Sequence, residues 1–288
     1  MIRSGFVNII KPTGMSSSNV VCLVKKSLKL SKVGHLGTLD PAASGVLPVA
    51  FGKATKFFDY FLKKDKIYVA DVKFGVLTDT LDSFGLITKK QDVKITKDDI
   101  ERVIPKFIGR ISQVPPLYSA VKVDGKKACD LARMGQNVAL KSREIEVFNI
   151  SLVDEIDENT FRFRVHCTAG TYIRTLFNDL AYELKTVATT LVIIRIKSGG
   201  FDINSAITID ELNKTQKVIS IEEYFSNYDY FEISDDGILK KLLNGVKLKR
   251  IDLNFDSDKE FFLKTNEQLI GMYHFDEQNL ICDVFLAE

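Results

Sequence analysis

The chain has no tryptophan and only four cysteines, three histidines and six prolines in 288 residues. Cys22, Cys129, Cys167 and Cys282 lie far apart, with no C-x-x-C pair. That spacing suggests neither a zinc site nor a disulfide framework, and a reducing cytoplasm is the expected home. No apolar run approaches the ~20 residues that a membrane-spanning helix needs, and the first residues lack a signal-peptide pattern. There is no P-loop, no Gly-rich dinucleotide motif, no internal repeat and no low-complexity segment. No cofactor and no metal are therefore expected.

What is present is an ordinary globular composition, 45% hydrophobic and 27% charged. The length suffices for one large domain and a small one. The net charge of +2 hides an asymmetry: residues 231–288 hold 7 Lys+Arg against 12 Asp+Glu, and the first 230 hold 33 against 26. A basic body with an acidic tail region suits nucleic-acid binding by the body, though ordinary variation between surfaces accounts for these numbers equally well.

The most informative stretch runs from Gly34 to Gly52. Asp40 lies between Gly37 and Gly45 with Pro41 directly behind it, which biases it away from helical backbone and onto a shaped loop. Val46, Leu47 and Val49 read as a buried strand anchoring that loop. A carboxylate on an anchored loop is a reasonable place for chemistry, but a lone Asp-Pro is more often a turn.

Other signals are spread along the chain. Phe6–Ile10 reads as a buried strand, and a turn at 11–16 leads into a helix over 17–28 capped by serine hydroxyls. Residues 53–62 carry Ala54, Phe57, Phe58, Phe61 and Leu62 at helical spacing, a core stripe. Lys66–Phe74 alternates as a strand with Tyr68, Ala70, Val72 and Phe74 on one face. A helix capped by Thr96 is expected to run to Gly109, and another from Lys126 to about Met134. Strands over 145–153 and 160–167 pair through a loop, the second with Phe161, Phe163, Val165 and Cys167 inward and Arg162, Arg164 and His166 outward. A helix over 171–184 places Arg174 in its first turn, where the helix dipole disfavours a cation; a carboxylate partner elsewhere in the fold would explain it. Leu191–Lys197 is an apolar strand, and a small region of short strands begins near Phe231.

Three of these segments carry a resemblance. His35, Gly37, Leu39, Asp40, Pro41, Gly45 and Leu47 with Gly52-Lys53-Ala54-Thr55-Lys56, then Lys11-Pro12-Thr13-Gly14-Met15-Ser16-Ser17, then Ala169-Gly170-Thr171-Tyr172-Ile173-Arg174, resemble motifs of the TruB family of tRNA pseudouridine synthases. The resemblance extends over most of the chain. It implies an α+β fold: a large mixed, mostly antiparallel sheet flanked by helices, with a small C-terminal β-rich, PUA-like RNA-binding domain. The implied boundaries are 1–229 and 230–288, with a tRNA-gripping insertion at about 117–145.

The resemblance also implies roles. Asp40 would be the essential carboxylate, acting as nucleophile or as the base that removes a sugar proton. Arg174 would pair with it and hold it ionised. Tyr68 would stack on the extruded uracil and later assist proton removal. Tyr172 and Ile193 would wall the uracil pocket, and His35 would help displace the target nucleotide. Asp82, last in Thr78-Asp79-Thr80-Leu81-Asp82, would orient the arginine, unless it serves only its own turn. Lys11 would act structurally beside the site or contact a phosphate. Lys122, Lys126, Lys127, Arg133, Lys141 and Arg143 would meet RNA phosphates or form a solvated face. The basic run from Lys240 to Arg250 would be an RNA face of the C-terminal domain. One motif departs from the family: His-x-x-x-Leu-Arg-Arg is replaced by Thr189, Ile193, Ile194 and Arg195. The expected partner is the T-arm of tRNA, bound by a monomer without a membrane. The rivals are a non-catalytic RNA-binding or folding protein, a guide-RNA-dependent synthase and, more remotely, a single-Asp hydrolase.

Overall fold

The computed structural model describes residues 2–136, 138–266 and 268–287. Its strands in chain order are β1 (Gly5–Lys11), β2 (Val33–His35), β3 (Ser44–Phe51), β4 (Lys66–Phe74), β5 (Val76–Thr78), β6 (Ile87–Lys90) and β7 (Gly109–Gln113). There follow β8 (Lys122–Val123), β9 (Lys126–Lys127), β10 (Arg143–Asp157), β11 (Thr160–Cys167), β12 (Ala188–Ser198), β13 (Phe201–Asp202) and β14 (Ile219–Ser220). The last four are β15 (Asp229–Glu232), β16 (Phe261–Lys264), β17 (Leu269–Asp276) and β18 (Asn279–Phe285).

One large sheet has the order β14-β1-β3-β12-β4-β11-β10-β7, with β2 paired to β3 and β13 to β12. Every described pairing in it is antiparallel except β12 with β3, where Ile194 lies opposite Ser44 and Arg195 opposite Gly45. The mixed, mostly antiparallel sheet expected from the resemblance is therefore present. Helices Ser17–Ser27 and Ile173–Glu183 pack their apolar stripes on it, burying Val20 and Val24 from the first and Ile173, Leu176, Phe177 and Leu180 from the second. Period-2 burial in β11 puts Phe161, Phe163, Val165 and Cys167 inside, as their alternation predicts. Of the outward residues, Arg162 grips Asp71 through two bonds of 2.7 and 2.8 Å and His166 bonds Asp65 at 2.5 Å.

Three helix assignments need correcting. In the first, the helix capped by Thr96 ends at Val103, with Pro105 in the 3₁₀ turn Ile104–Phe107 that follows. Residues 52–62 begin as a 3₁₀ turn (Gly52–Phe57) and only then become α-helical over Phe58–Leu62. The tighter turn rotates the apolar face, so Ala54, Phe57 and Phe61 are buried while Phe58 and Leu62 stay about 40% exposed. Lys126 and Lys127 belong to a hairpin around Asp124 and Gly125, both at positive φ, and the helix there is Ala128–Arg133.

A second sheet, β15-β16-β17-β18, follows from residue 229. It has a core of its own around Ile233, Leu242, Leu248, Phe261, Leu263, Ile270 and Tyr273. Its other face joins the body through an aromatic cluster in which Phe262, Met272 and Val284 meet Phe6, Phe57, Phe61 and Phe225. No described helix is long and apolar enough to cross a membrane.

Candidate active site

Asp40 lies in the loop from β2 to β3, and that loop is held at several points by buried donors. The Ser17 hydroxyl, 4% exposed, accepts from the Leu39 amide and donates to the Leu39 carbonyl, both at 2.9 Å. The amide of Gly14 reaches the Pro41 carbonyl at 2.8 Å. Lys11 is fully buried; its ammonium donates to the carbonyls of Met15 at 2.6 Å, Pro12 at 2.9 Å and Pro41 at 3.4 Å. Burial pulls the Lys11 ammonium down to about 8, with Asp40 opposing the shift. All three of its protons face carbonyls, which leaves no donor for a phosphate and favours the structural alternative for Lys11.

Arg195, 1% exposed, is the strongest clamp. Its guanidinium donates to the carbonyls of Val46 at 2.8 Å, Thr38 at 3.1 Å and Gly37 at 3.1 Å. The sequence marks this residue only as what remains of a departed motif. Its role follows from the parallel pairing of β12 with β3, which lays β12 beside the start of β3. Gly45 permits that approach: at φ +102° a Cβ there would fall 2.3 Å from the Arg195 carbonyl oxygen.

Across the cavity from this loop stands Arg174, 3% exposed. One terminal nitrogen lies 2.6 Å from Asp40 Oδ2, the other 3.5 Å from Asp82 Oδ2. The same group donates to the carbonyls of Thr80 at 2.7 Å and Tyr118 at 3.1 Å. These acceptors offset the cost of a cation in the first turn of helix Ile173–Glu183. Asp82 also accepts from the Thr80 hydroxyl at 2.6 Å and the Phe84 amide at 3.0 Å, so it serves its own turn and faces the arginine as well.

Between the two walls is a cavity of about 420 Å³. Asp40, Tyr68, Tyr172, Arg174 and Ile193 all line it, together with Arg195. Its charged lining is one carboxylate, Asp40, against Lys66, Lys122, Arg143, Arg174 and Arg195, a balance that fits a polyanion. Tyr68 reaches it from β4 and Ile193 from β12, opposite Ala70. Burial pushes the Tyr68 phenol up, with Arg195 opposing. Tyr172 is fixed by reciprocal bonds with Gln113, at 2.8 and 3.1 Å, and its ring lies 5.7 Å from the Arg143 guanidinium. His35 sits on β2 outside the cavity lining; burial and Arg195 lower its imidazole, leaving it neutral at pH 7. No cluster of metal-ligating side chains occurs among the described residues.

Residues 25–173 match the model of the TruB family pseudouridylate synthase N-terminal domain. The chain belongs to the TruB family. A relative named tRNA pseudouridine synthase B from Clostridium novyi is 41% identical over 90% of both chains, and one from Clostridium acetobutylicum is 43% identical over 85% of both. Among solved structures, a Cbf5–Nop10–Gar1 complex is similar with a TM-score of 0.71 and 27% identity, covering 99% of this chain and 84% of that one. An H/ACA ribonucleoprotein bound to a substrate RNA shares the fold, at TM-score 0.70 and 23% identity, with 100% and 86% covered. Of the residues that the TruB resemblance singled out, the cavity gathers Asp40, Tyr68, Tyr172, Arg174 and Ile193. Asp82 and Lys11 stand behind it, and His35 stands beside it. Arg195 and Lys66 are the lining cations whose part the sequence did not disclose. Lys66 is 4% exposed, drawn down to about 8 by burial, and bonded to the carbonyls of Phe61, Leu62 and Lys64.

Proposed function

We propose that this chain converts a uridine of tRNA to pseudouridine, with the T-loop uridine (position 55) of elongator tRNA as its target. The observation that carries this reading is the 2.6 Å Asp40–Arg174 ion pair in a cavity whose other charged groups are all cations. The family membership and the names of the relatives support it. In the reaction the N1–C1′ bond breaks, the uracil turns, and C5 bonds to C1′. C5 then loses a proton and N1 gains one, so the product is an isomer and the reaction consumes no second substrate. The uridine must leave its stack to reach a cavity of this kind.

In this reading Asp40 is the group that acts on the ribose, and Arg174 supports its charge once RNA has displaced water. Tyr68 offers its face to the uracil, a contact worth roughly 1–3 kcal/mol. Burial raises its phenol, which is protonated in the resting site, and the same group assists proton removal from C5 later in the reaction. Ile193 and Tyr172 shape the pocket, His35 meets the displaced loop, and Asp82 steadies Arg174. Lys122, Arg143 and the hairpin lysines Lys126 and Lys127 contact phosphates of the T-arm. We assign residues 1–229 to catalysis and 230–288 to a PUA-like RNA-binding unit, within a monomer working in the cytoplasm. In the run Lys240–Arg250 the RNA face is carried by Lys240, Lys241, Lys247 and Lys249, because Arg250 is engaged with Asp256 and with the ring of Phe275.

The test is tritium release from a tRNA transcript labelled at uridine C5. Stoichiometric release by the wild type and none by Asp40→Asn, with binding retained, is the expected result. Tight binding without release by either protein would favour a tRNA-folding role instead, and equal release by both would remove Asp40 from the chemistry.

A further inference from the structure

The first 58 residues contain eight Lys and Arg and a single acid, Asp40 itself. Lys11 is the buried one. Of the others, Arg3, Lys32, Lys53 and Lys56 line one cleft of about 850 Å³ at the seam between the body and the second sheet. The far side of that cleft is made by Gln268, Leu269 and Leu286, and Glu222 is the one described carboxylate along it. Arg3, Lys32 and Lys56 are exposed and form no ion pair with a described residue. Lys25, Lys26 and Lys29, in the last turn of helix Ser17–Ser27 and just after it, are exposed as well. The helix dipole accounts for Lys25 and Lys26. It does not account for Arg3, Lys32 or Lys56, which come from three separate segments.

Those segments are fixed to one another by backbone. Gly5 pairs with Phe51, the Gly52 amide donates to the Lys32 carbonyl at 3.0 Å, and the Lys53 amide donates to the Ser4 hydroxyl at 2.9 Å. Gly52, at φ +61°, is required for this convergence, since a Cβ there would fall 2.3 Å from the Arg3 carbonyl oxygen. Concentrating like charge this way costs self-repulsion, and a polyanion would relieve it. The cleft lies at the far end of β3 from the Asp40 loop, about 20 Å away at ~3.3 Å per strand residue. That distance is on the scale of several base-pair steps of a stem.

We propose that this cleft is a second phosphate-binding site, which holds the duplex backbone of the substrate RNA beyond the loop whose nucleotide enters the cavity. The proposal rests on the tRNA reading above. Arg3, Lys32 and Lys56 act here as point charges and contribute affinity without reading sequence.

The test is the triple variant Arg3→Glu/Lys32→Glu/Lys56→Glu, exposed positions whose change leaves the core untouched. It is compared with wild type on full-length tRNA and on a short hairpin that keeps only the loop and its first few pairs. With tRNA, KM is expected to rise about tenfold or more at physiological salt, and the log Kd–log salt slope to fall by about 2–3, near 0.9 per lost contact. With the short hairpin, KM is expected to stay the same, and kcat is unchanged on both. An unchanged KM and slope on tRNA would overturn the proposal, as would equal losses on tRNA and hairpin. If the wild type bound tRNA without releasing tritium, the catalytic reading would fail, while the change in salt slope would still decide this one.

Discussion

Two sides of the proposed catalytic cavity are built in opposite ways. The Asp40 wall is tied down by Ser17, Gly14, Lys11 and Arg195, all delivering donors to its backbone carbonyls. The segment 114–136, which borders the cavity through Ala120, Val121 and Lys122, has two-residue strands, a six-residue helix and exposed lysines; Pro115, Pro116, Ala128 and Leu131 are its buried apolar contribution. It meets Arg174 through the Tyr118 carbonyl, which accepts from the guanidinium. The difference separates two needs. A reacting carboxylate must be held within a fraction of an ångström of its productive position. A surface that meets RNA phosphates gains by adapting to them.

Substitutions on each wall can break this contrast. Asp40→Asn removes the reacting group with little change of shape, and product formation should fall by at least ~10³-fold, the scale of losing an essential acid or base. Single-turnover tritium release with enzyme in excess measures it. Arg195→Met empties the clamp and leaves three carbonyls unpaired, each costing about 1–3 kcal/mol. A lower denaturation midpoint and a kcat loss of about a hundredfold are expected, with tRNA affinity nearly kept. If midpoint and kcat both held, the loop would not depend on its clamp. Asp82→Asn keeps the turn bonds but weakens the support of Arg174, and a kcat loss nearer tenfold should appear without a change in KM. On the adaptable wall, Lys122→Ala with Lys126→Ala should raise KM severalfold, lower the salt slope by up to about 2, and spare kcat. A fall in kcat there would mean that this wall shapes the chemistry too.

The smallest effect concerns pH. Lys11 is lowered in the folded chain from 10.5 to about 8. Between those values the unfolded chain binds the extra proton, so this group's contribution rises as pH climbs from about 8 to 10.5 and is lost as pH falls through 8. From pH 8 to pH 10 the denaturation midpoint should therefore rise more, or fall less, in the wild type than in Lys11→Met. Equal differences in the two proteins would mean that Lys11 does not titrate in this range.

Much of the rigid wall was legible in the sequence, because local signals mark it: Ser16 as a cap, Pro41 as a break, the glycines around Asp40, and the misplaced charge of Arg174. The architecture followed from alternation in β4 and β11 and from the resemblance. The clamp was not legible. Arg195 reaches carbonyls some 150 residues away through a parallel strand contact, and no local pattern encodes it. Lys11 is hidden in the same way: a lysine in a turn gives no sign that its ammonium will be enclosed by carbonyls. The exposed Phe58 and Leu62 were misassigned because helical spacing alone cannot tell a 3₁₀ start from an α start.

The sheet order carries one more consequence, for the birth of the protein. β3 and β4 follow each other in the chain, yet β12 lies between them in the sheet. A ribosome adding about 5–20 residues per second completes β4 and then needs several seconds or more to deliver β12. Throughout that interval the nascent chain has an open slot in its largest sheet, between β3 and β4, and an Asp40 loop without the Arg195 clamp. Closing the slot is a long-range step, slow by topology. The emerging polypeptide is therefore most exposed to mispairing, and most in need of chaperone cover, after the Asp40 segment has left the tunnel and before residue 198 has followed it.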